Sequence, residues 1–193
     1  PVAFARSFSL GFGTETDVRD LDGKIVISHD MPVSEEYCLP IDDFLRLYSD
    51  SGQNLPLALN IKSDGLQDYL KQYLERHDIK NYRLFDMSIP DLLVTKKHCL
   101  QFLTRYSDIE REPILINDAK GIWLDSFASD WFEMDDVMSF LRQEKEVWIV
   151  SPELHRRDHI SCWEMIKECE LLDSNMLFLC TDLPETAREY FDE

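Results

Sequence analysis

The feature that most constrains this chain is a succession of short period-two runs, each followed by a stretch with helical spacing. Residues 12–18 (FGTETDV) place Phe12, Thr14, Thr16 and Val18 on one face of a strand and Gly13, Glu15 and Asp17 on the other. Asp22-Gly23 is a turn signal before a second strand at 24–29. Residues 55–62 alternate again, Leu57, Leu59 and Ile61 against Ala58, Asn60 and Lys62. Asp64 opens a stretch with Leu66, Tyr69, Leu70, Tyr73 and Leu74 at helical spacing. Strands follow at 82–88, 101–106, 121–126, 146–151 and 176–181. Helices are expected from Pro90, over 135–144 and 160–172, and after Pro184. Strand–helix alternation of this kind predicts an α/β fold with a mostly parallel sheet and helices outside it. Seven strands, the hairpin strand aside, are one short of a closed (β/α)8 barrel. Either the sheet is open or a strand is missing, and the N-terminus, where AFARSFSLG reads as a helix, is the place to look.

Composition narrows the function. The length of 193 residues suits one domain, and 44% hydrophobic residues with 11% aromatics supply a core that an acidic disordered tail lacks. Twenty Lys and Arg face 38 Asp and Glu, a net charge of −18 spread along the chain. Such a surface repels phosphate backbones and anionic lipids, which argues against nucleic-acid and membrane-surface partners. No run approaches the ~20 apolar residues of a membrane span. The first residues have one Arg and too short an apolar run for a secretory signal. Five cysteines (Cys38, Cys99, Cys162, Cys169, Cys180) form no C-x-x-C pair, so neither a disulfide framework nor a zinc knuckle is indicated. The cytoplasm is the expected compartment.

Strands buried on both faces should be apolar, yet polar residues recur near strand ends: Glu15 and Asp17, Asn60 and Lys62, Asp86, Arg105, Asp125, Glu153 and Asp182. Any one of them reads most simply as a cap or loop hydrogen bond. The recurrence matches the C-terminal edge where parallel α/β folds build their sites. Glu15 and Asp17, two positions apart, project from one face, and two such charges are best reconciled by a hard divalent cation. Lys62 either neutralises a carboxylate or holds a phosphate as a point charge. His29 closes the hairpin strand before Asp30, where an imidazole can act as acid or base. His77 and His98 end helices and read as partners of the helix dipole. His155 and His159 lie in a basic island, PELHRRDH, that reads as a solvated loop or an anion-binding one.

At this point the residues resemble a family. AFARSFSLGFGTETDVRDLDGKIVISHDMP is similar to the core signature of glycerophosphodiester phosphodiesterases, in the phospholipase-C-like phosphodiesterase superfamily. An A-F helix, E-x-D-V, a D-G turn and H-D follow in family order. LALNIK stands where the family has an E-x-K strand, and CTDLP where it has T-D-x-P. The N-x-K form looks like that of a bacterial subgroup.

The resemblance implies a TIM (β/α)8 barrel spanning residues 1–193 as a single, N-terminally incomplete domain. The family's first strand, with its H-R-G histidine, would lie upstream of Pro1. It also implies a Mg²⁺ or Ca²⁺ ion held by Glu15, Asp17 and Asn60, with His29 and Lys62 as catalytic residues. Arg105, Asp125, Glu153 and His155 are the substrate-binding candidates. The expected activity is metal-dependent hydrolysis of a small phosphodiester, a glycerophosphodiester or a sugar-phosphate diester. The alternative is a phosphodiester-binding pseudoenzyme, which the neutral Asn60 and the upstream histidine favour. Retention of Glu15, Asp17, His29 and Lys62 favours the enzyme.

Overall fold

The computed structural model describes residues 1–169, 171–172 and 174–192. The chain divides into two compact units, Pro1–Phe102 and Leu103–Glu193.

In the first unit, β1 (Thr14–Leu21) pairs in parallel with β4 (Leu57–Ile61), and β4 with β5 (Tyr82–Phe85). On the other side, β2 (Lys24–Ile27) runs antiparallel to β1, and the two-residue β3 (Leu39–Pro40) extends the sheet, in the order β3-β2-β1-β4-β5. The hairpin forms because Asp22 and Gly23 both take positive φ, 48° and 79°, the backbone that a tight two-residue turn requires. Leu57, Leu59 and Ile61 form the buried alternate set that the sequence pattern picks out.

Helices α1 (Val2–Ser9), α2 (Ile41–Asp50), α3 (Gln67–Arg76) and α4 (Ile89–Lys97) complete this unit. Phe8 of α1 meets the rings of Phe44 and Tyr48 on α2. The buried residues of α2, Ile41, Phe44, Leu45 and Tyr48, follow helical spacing, so this helix was legible but falls between the segments read above. The helix expected from Asp64 begins at Gln67, because Gly65 (φ 84°) makes a turn first. A buried polar network then fixes that turn: Asp91 of α4 accepts from Gly65 N (2.8 Å) and Gln67 Nε2 (2.6 Å). The strand expected over 82–88 stops at Phe85, since Asp86 leaves extended geometry with φ 68°.

In the second unit β6 (Leu103–Ser107), β7 (Gly121–Asp125), β8 (Glu146–Val150) and β9 (Leu177–Cys180) are parallel neighbours in sequence order. With them come α5 (Met134–Leu141), α6 (Ile160–Lys167) and α7 (Pro184–Asp192). The helix expected over 160–172 ends at Lys167, and part of that expectation (Glu170) lies outside the described residues. Alternate residues Ile122, Leu124, Val147 and Ile149 join Val137, Met138, Leu141, Trp163 and Ile166 in one apolar core. The opposite face carries Trp123, Trp148 and Phe178, the last two stacked at 4.2 Å.

The seven parallel strands are those expected, three in the first unit and four in the second. Their β/α succession is of the barrel kind, and among the described residues the ladders form two sheets, not a closed ring. No helix among the described residues is long and apolar enough to cross a membrane.

Gly121 opens β7 opposite Glu146, so close that a Cβ would lie 1.9 Å from the Glu146 carbonyl oxygen. Gly121→Ala should therefore overpack this strand pair and destabilise the fold by about 1–3 kcal/mol or more. An unchanged denaturation midpoint would contradict the β7–β8 register.

Candidate active site

The parallel register of β1 and β4 sets Asp17 beside Asn60 and Glu15 beside Ala58. Partners in a parallel ladder share a face, as do residues two apart on one strand, so Glu15, Asp17 and Asn60 share a face toward the C-terminal strand ends. Lys62 continues that face just past β4: its N–H donates to the Val18 carbonyl (2.9 Å), and its Nζ lies 3.4 Å from Asp17 Oδ1. Burial pushes the Glu15 carboxyl up to about 7; Asp17 and Asp86 add to the rise, while Lys62 and a hydrogen bond from Asn60 oppose it. Asn60 is only 8% exposed, and its Oδ1 is buried with no hydrogen-bond partner. A buried acceptor left unmatched beside two carboxylates is costly unless a cation or donor joins it.

His29 is held close to this cluster by its backbone. Ser28 N donates to the Asp17 carbonyl (3.1 Å), and the Arg19 guanidinium donates twice to the His29 carbonyl (3.1 and 3.0 Å). The imidazole itself is 81% exposed, with Nδ1 3.0 Å from Asp30 Oδ1. The structure thus gathers Glu15, Asp17, Asn60 and Lys62 and holds His29 beside them with its ring in solvent. His77 and His98 pair with Asp42 (2.9 Å) and Asp68 (3.1 Å), which fits the structural role expected of them.

In the second unit the candidates form two groups. Asp125, 6% exposed at the end of β7, lies 2.7 Å from His155 Nε2, and its Oδ1 also accepts from Ser126 N (2.8 Å). The His155 ring meets the Phe127 ring at 5.4 Å, and the Arg105 guanidinium sits 5.4 Å from the same ring. Phe127 therefore joins Arg105, His155 and Asp125 into one cluster. No periodicity marked it, since it lies in the loop after β7.

Glu153 belongs elsewhere: its carboxylate takes the hydroxyls of Ser151 and Thr181 and the Asp182 N–H (3.2 Å). Ser151 in turn accepts from Trp163 Nε1 (2.8 Å). That carboxylate fastens the loop after β8 to the end of β9. Two residues of the basic island are tied down as well, Arg157 bound to Asp130 and the Ser126 carbonyl and His159 packed on Trp163 (4.2 Å).

The donors gathered in the first unit are oxygens only: two carboxylates and a buried amide oxygen in want of a partner. That set fits Mg²⁺ or Ca²⁺ and not a soft metal. Among the described residues no three His, Cys, Asp or Glu side chains form a metal centre by themselves, so the Asn60 oxygen is needed to make a third donor.

Solved structures with a similar chain course carry the comparison further. A Galdieria sulphuraria protein assigned as a glycerophosphodiester phosphodiesterase has 16% identity and a TM-score of 0.75, over 98% of this chain and 91% of that one. The fold is that of the glycerophosphodiester phosphodiesterases. An Oleispira antarctica phosphodiesterase, in complex with its product sn-glycerol-3-phosphate, matches at 16% identity and TM-score 0.70, over 100% of this chain and 90% of that one. A glycerophosphodiester phosphodiesterase from Agrobacterium tumefaciens matches at 12% and 0.67, over 100% and 92%. No protein-family model and no curated relative matches the chain. At these identities the phosphodiesterase likeness is one of fold.

Glu15 gives the cluster a pH signature in the metal-free chain. Its folded-state carboxyl titrates at about 7 against the usual 4.5, so the folded chain holds that proton longer than the unfolded one. The associated stability is full below the lower value and is lost as pH rises through the upper one. Glu15→Gln is neutral throughout. Melted in chelator, it should gain on the native chain between about pH 5 and pH 8; a constant difference would contradict the buried, repelled carboxyl.

Proposed function

We propose that the chain is a phosphoric diester hydrolase that cleaves a small phosphodiester, a glycerophosphodiester or a sugar-phosphate diester, with a bound Mg²⁺ or Ca²⁺. The observation that carries this reading is the buried, unpartnered Asn60 Oδ1 beside Glu15 and Asp17, at the strand ends of a phosphodiesterase fold. Glu15, Asp17 and Asn60 would hold the ion. When bound, it supplies Lewis-acid polarisation of the phosphoryl oxygens. Lys62, already at the edge of the cluster, places an ammonium where it can hold a phosphate oxygen. This local cation matters in a chain of net charge −18, whose surface repels an anionic substrate.

His29 moves the proton. With Nδ1 bonded to Asp30, Nε2 is the nitrogen open to substrate, and it takes or delivers a proton at the attacking or leaving oxygen of the diester. Its exposure leaves it free to meet a ligand. Arg105 and His155 are assigned to the substrate's polar headgroup, with Asp125 orienting His155 and Glu153 holding the loop that carries it. Free thiols at all five cysteines accord with a cytoplasmic setting.

The neutral Asn60 favours a second reading, a pseudoenzyme that binds phosphodiesters without cleaving them. Turnover decides between the two. Asp17→Asn should weaken Mg²⁺ or Ca²⁺ binding by calorimetry, and unchanged affinity would sink the metal assignment. His29→Ala should slow hydrolysis of an aryl phosphodiester by about 10²–10⁴-fold with little change in melting temperature. Specific binding of a glycerophosphodiester by the native chain, with no metal-dependent release of product, would establish the pseudoenzyme.

A further inference from the structure

The metal site proposed above lacks charge. Glu15 and Asp17 are the anions of the gathered set, and Asn60, the third donor, is neutral. The next strand offers another carboxylate. β5 pairs with β4 in the register Asn60↔Phe85, so the residue after Phe85 emerges at the same sheet edge, one strand along from Asn60. That residue is Asp86.

Its backbone is unusual. Simple alternation would send Asp86 to the face opposite Phe85 and Asn60, but φ of 68° breaks the strand there and removes that constraint. A left-handed conformation is costly for a non-glycine residue, and such residues cluster at functional sites. Among the described residues no three carboxylates close on one point, so a link from Asp86 to the ion would run through a water. Mg²⁺ sites commonly keep waters of this kind, bonded onward to a carboxylate.

We propose that Asp86, at the end of β5 and one strand along the sheet edge from Asn60, supplies across an intervening water the negative charge that Asn60 does not. This inference rests on the metal-dependent reading of Glu15, Asp17 and Asn60. It adds that Asp86 acts through the electrostatics of the ion, as a positioning residue and not as a catalytic one.

The test is calorimetric titration of the chain with Mg²⁺ and with Ca²⁺, in the native form, Asp86→Asn, and the Asn60→Glu/Asp86→Asn double variant. Asparagine tolerates left-handed backbone, so Asp86→Asn should keep the turn, checked by melting in chelator. Asp86→Gly, at ease at that φ, is the second variant should the first fold poorly. Either single variant should weaken affinity by about 10–100-fold, the usual cost of losing a partner just outside the ligand shell. The double variant, with a carboxylate restored at position 60, should recover most of it. Native binding with unchanged affinity in both single variants overturns the role of Asp86 and leaves the metal site standing. A loss that Asn60→Glu fails to restore overturns the claim that Asp86 supplies the charge Asn60 lacks. Absence of saturable binding in the native chain overturns the metal site itself, and this inference with it.

Discussion

The candidate site depends on one pairing, the parallel register between β1 and β4. Because Asp17 faces Asn60 in that ladder, the acidic pair of one strand, the amide of the next and the Lys62 ammonium beyond it share a face. A slip of one residue would carry Glu15 and Asp17 to the opposite face. The register is secured by the opposite face, where Leu57, Leu59 and Ile61 are buried and no charged residue could replace them. Apolar burial on one side of the sheet thus sets the position of charge on the other. It also holds two carboxylates close enough to repel, an arrangement that Lys62 only partly offsets and that a divalent cation would complete.

Much of this was legible in the sequence because side-chain direction in a strand has a period of two. The alternation in FGTETDV put Glu15 and Asp17 together, and that in LPLALNIK added Asn60 and Lys62. The seven parallel strands and the D-G hairpin were readable for the same reason. Helix α2 was equally encoded, with Ile41, Phe44, Leu45 and Tyr48 on one face, yet its start at Pro40 has no side-chain cap to mark it. What pattern cannot carry is contact between distant loops. His155 finds Asp125 thirty positions away, and Phe127 joins them to Arg105, through geometry set by the second unit's fold. The left-handed turn at Asp86 was hidden too, since YRLFDMS reads as an unbroken strand.

The electrostatics of the chain sharpen the functional reading. A surface with a net charge of −18 repels phosphodiesters at long range, so recognition of an anion must come from a few placed cations. Lys62 in the first unit lies beside Asp17, and Arg105 in the second beside Glu110, so each of these cations is positioned by a carboxylate. By contrast Arg157 and His159 of the basic island are taken up by internal contacts to Asp130, Ser126 and Trp163. Basic composition alone would have pointed to that island as an anion-binding loop. Within it, His155 packs on Phe127, the ring that the Arg105 guanidinium also meets.

The central claim is that Glu15, Asp17 and Asn60 converge on a divalent cation. Crystals of the chain soaked in Mn²⁺, as a stand-in for Mg²⁺, and measured at the manganese absorption edge test it most directly. The account predicts one strong anomalous peak within about 2.0–2.6 Å of an oxygen from each of the three side chains. An anomalous map with no peak there, or with manganese bound only elsewhere, would contradict it.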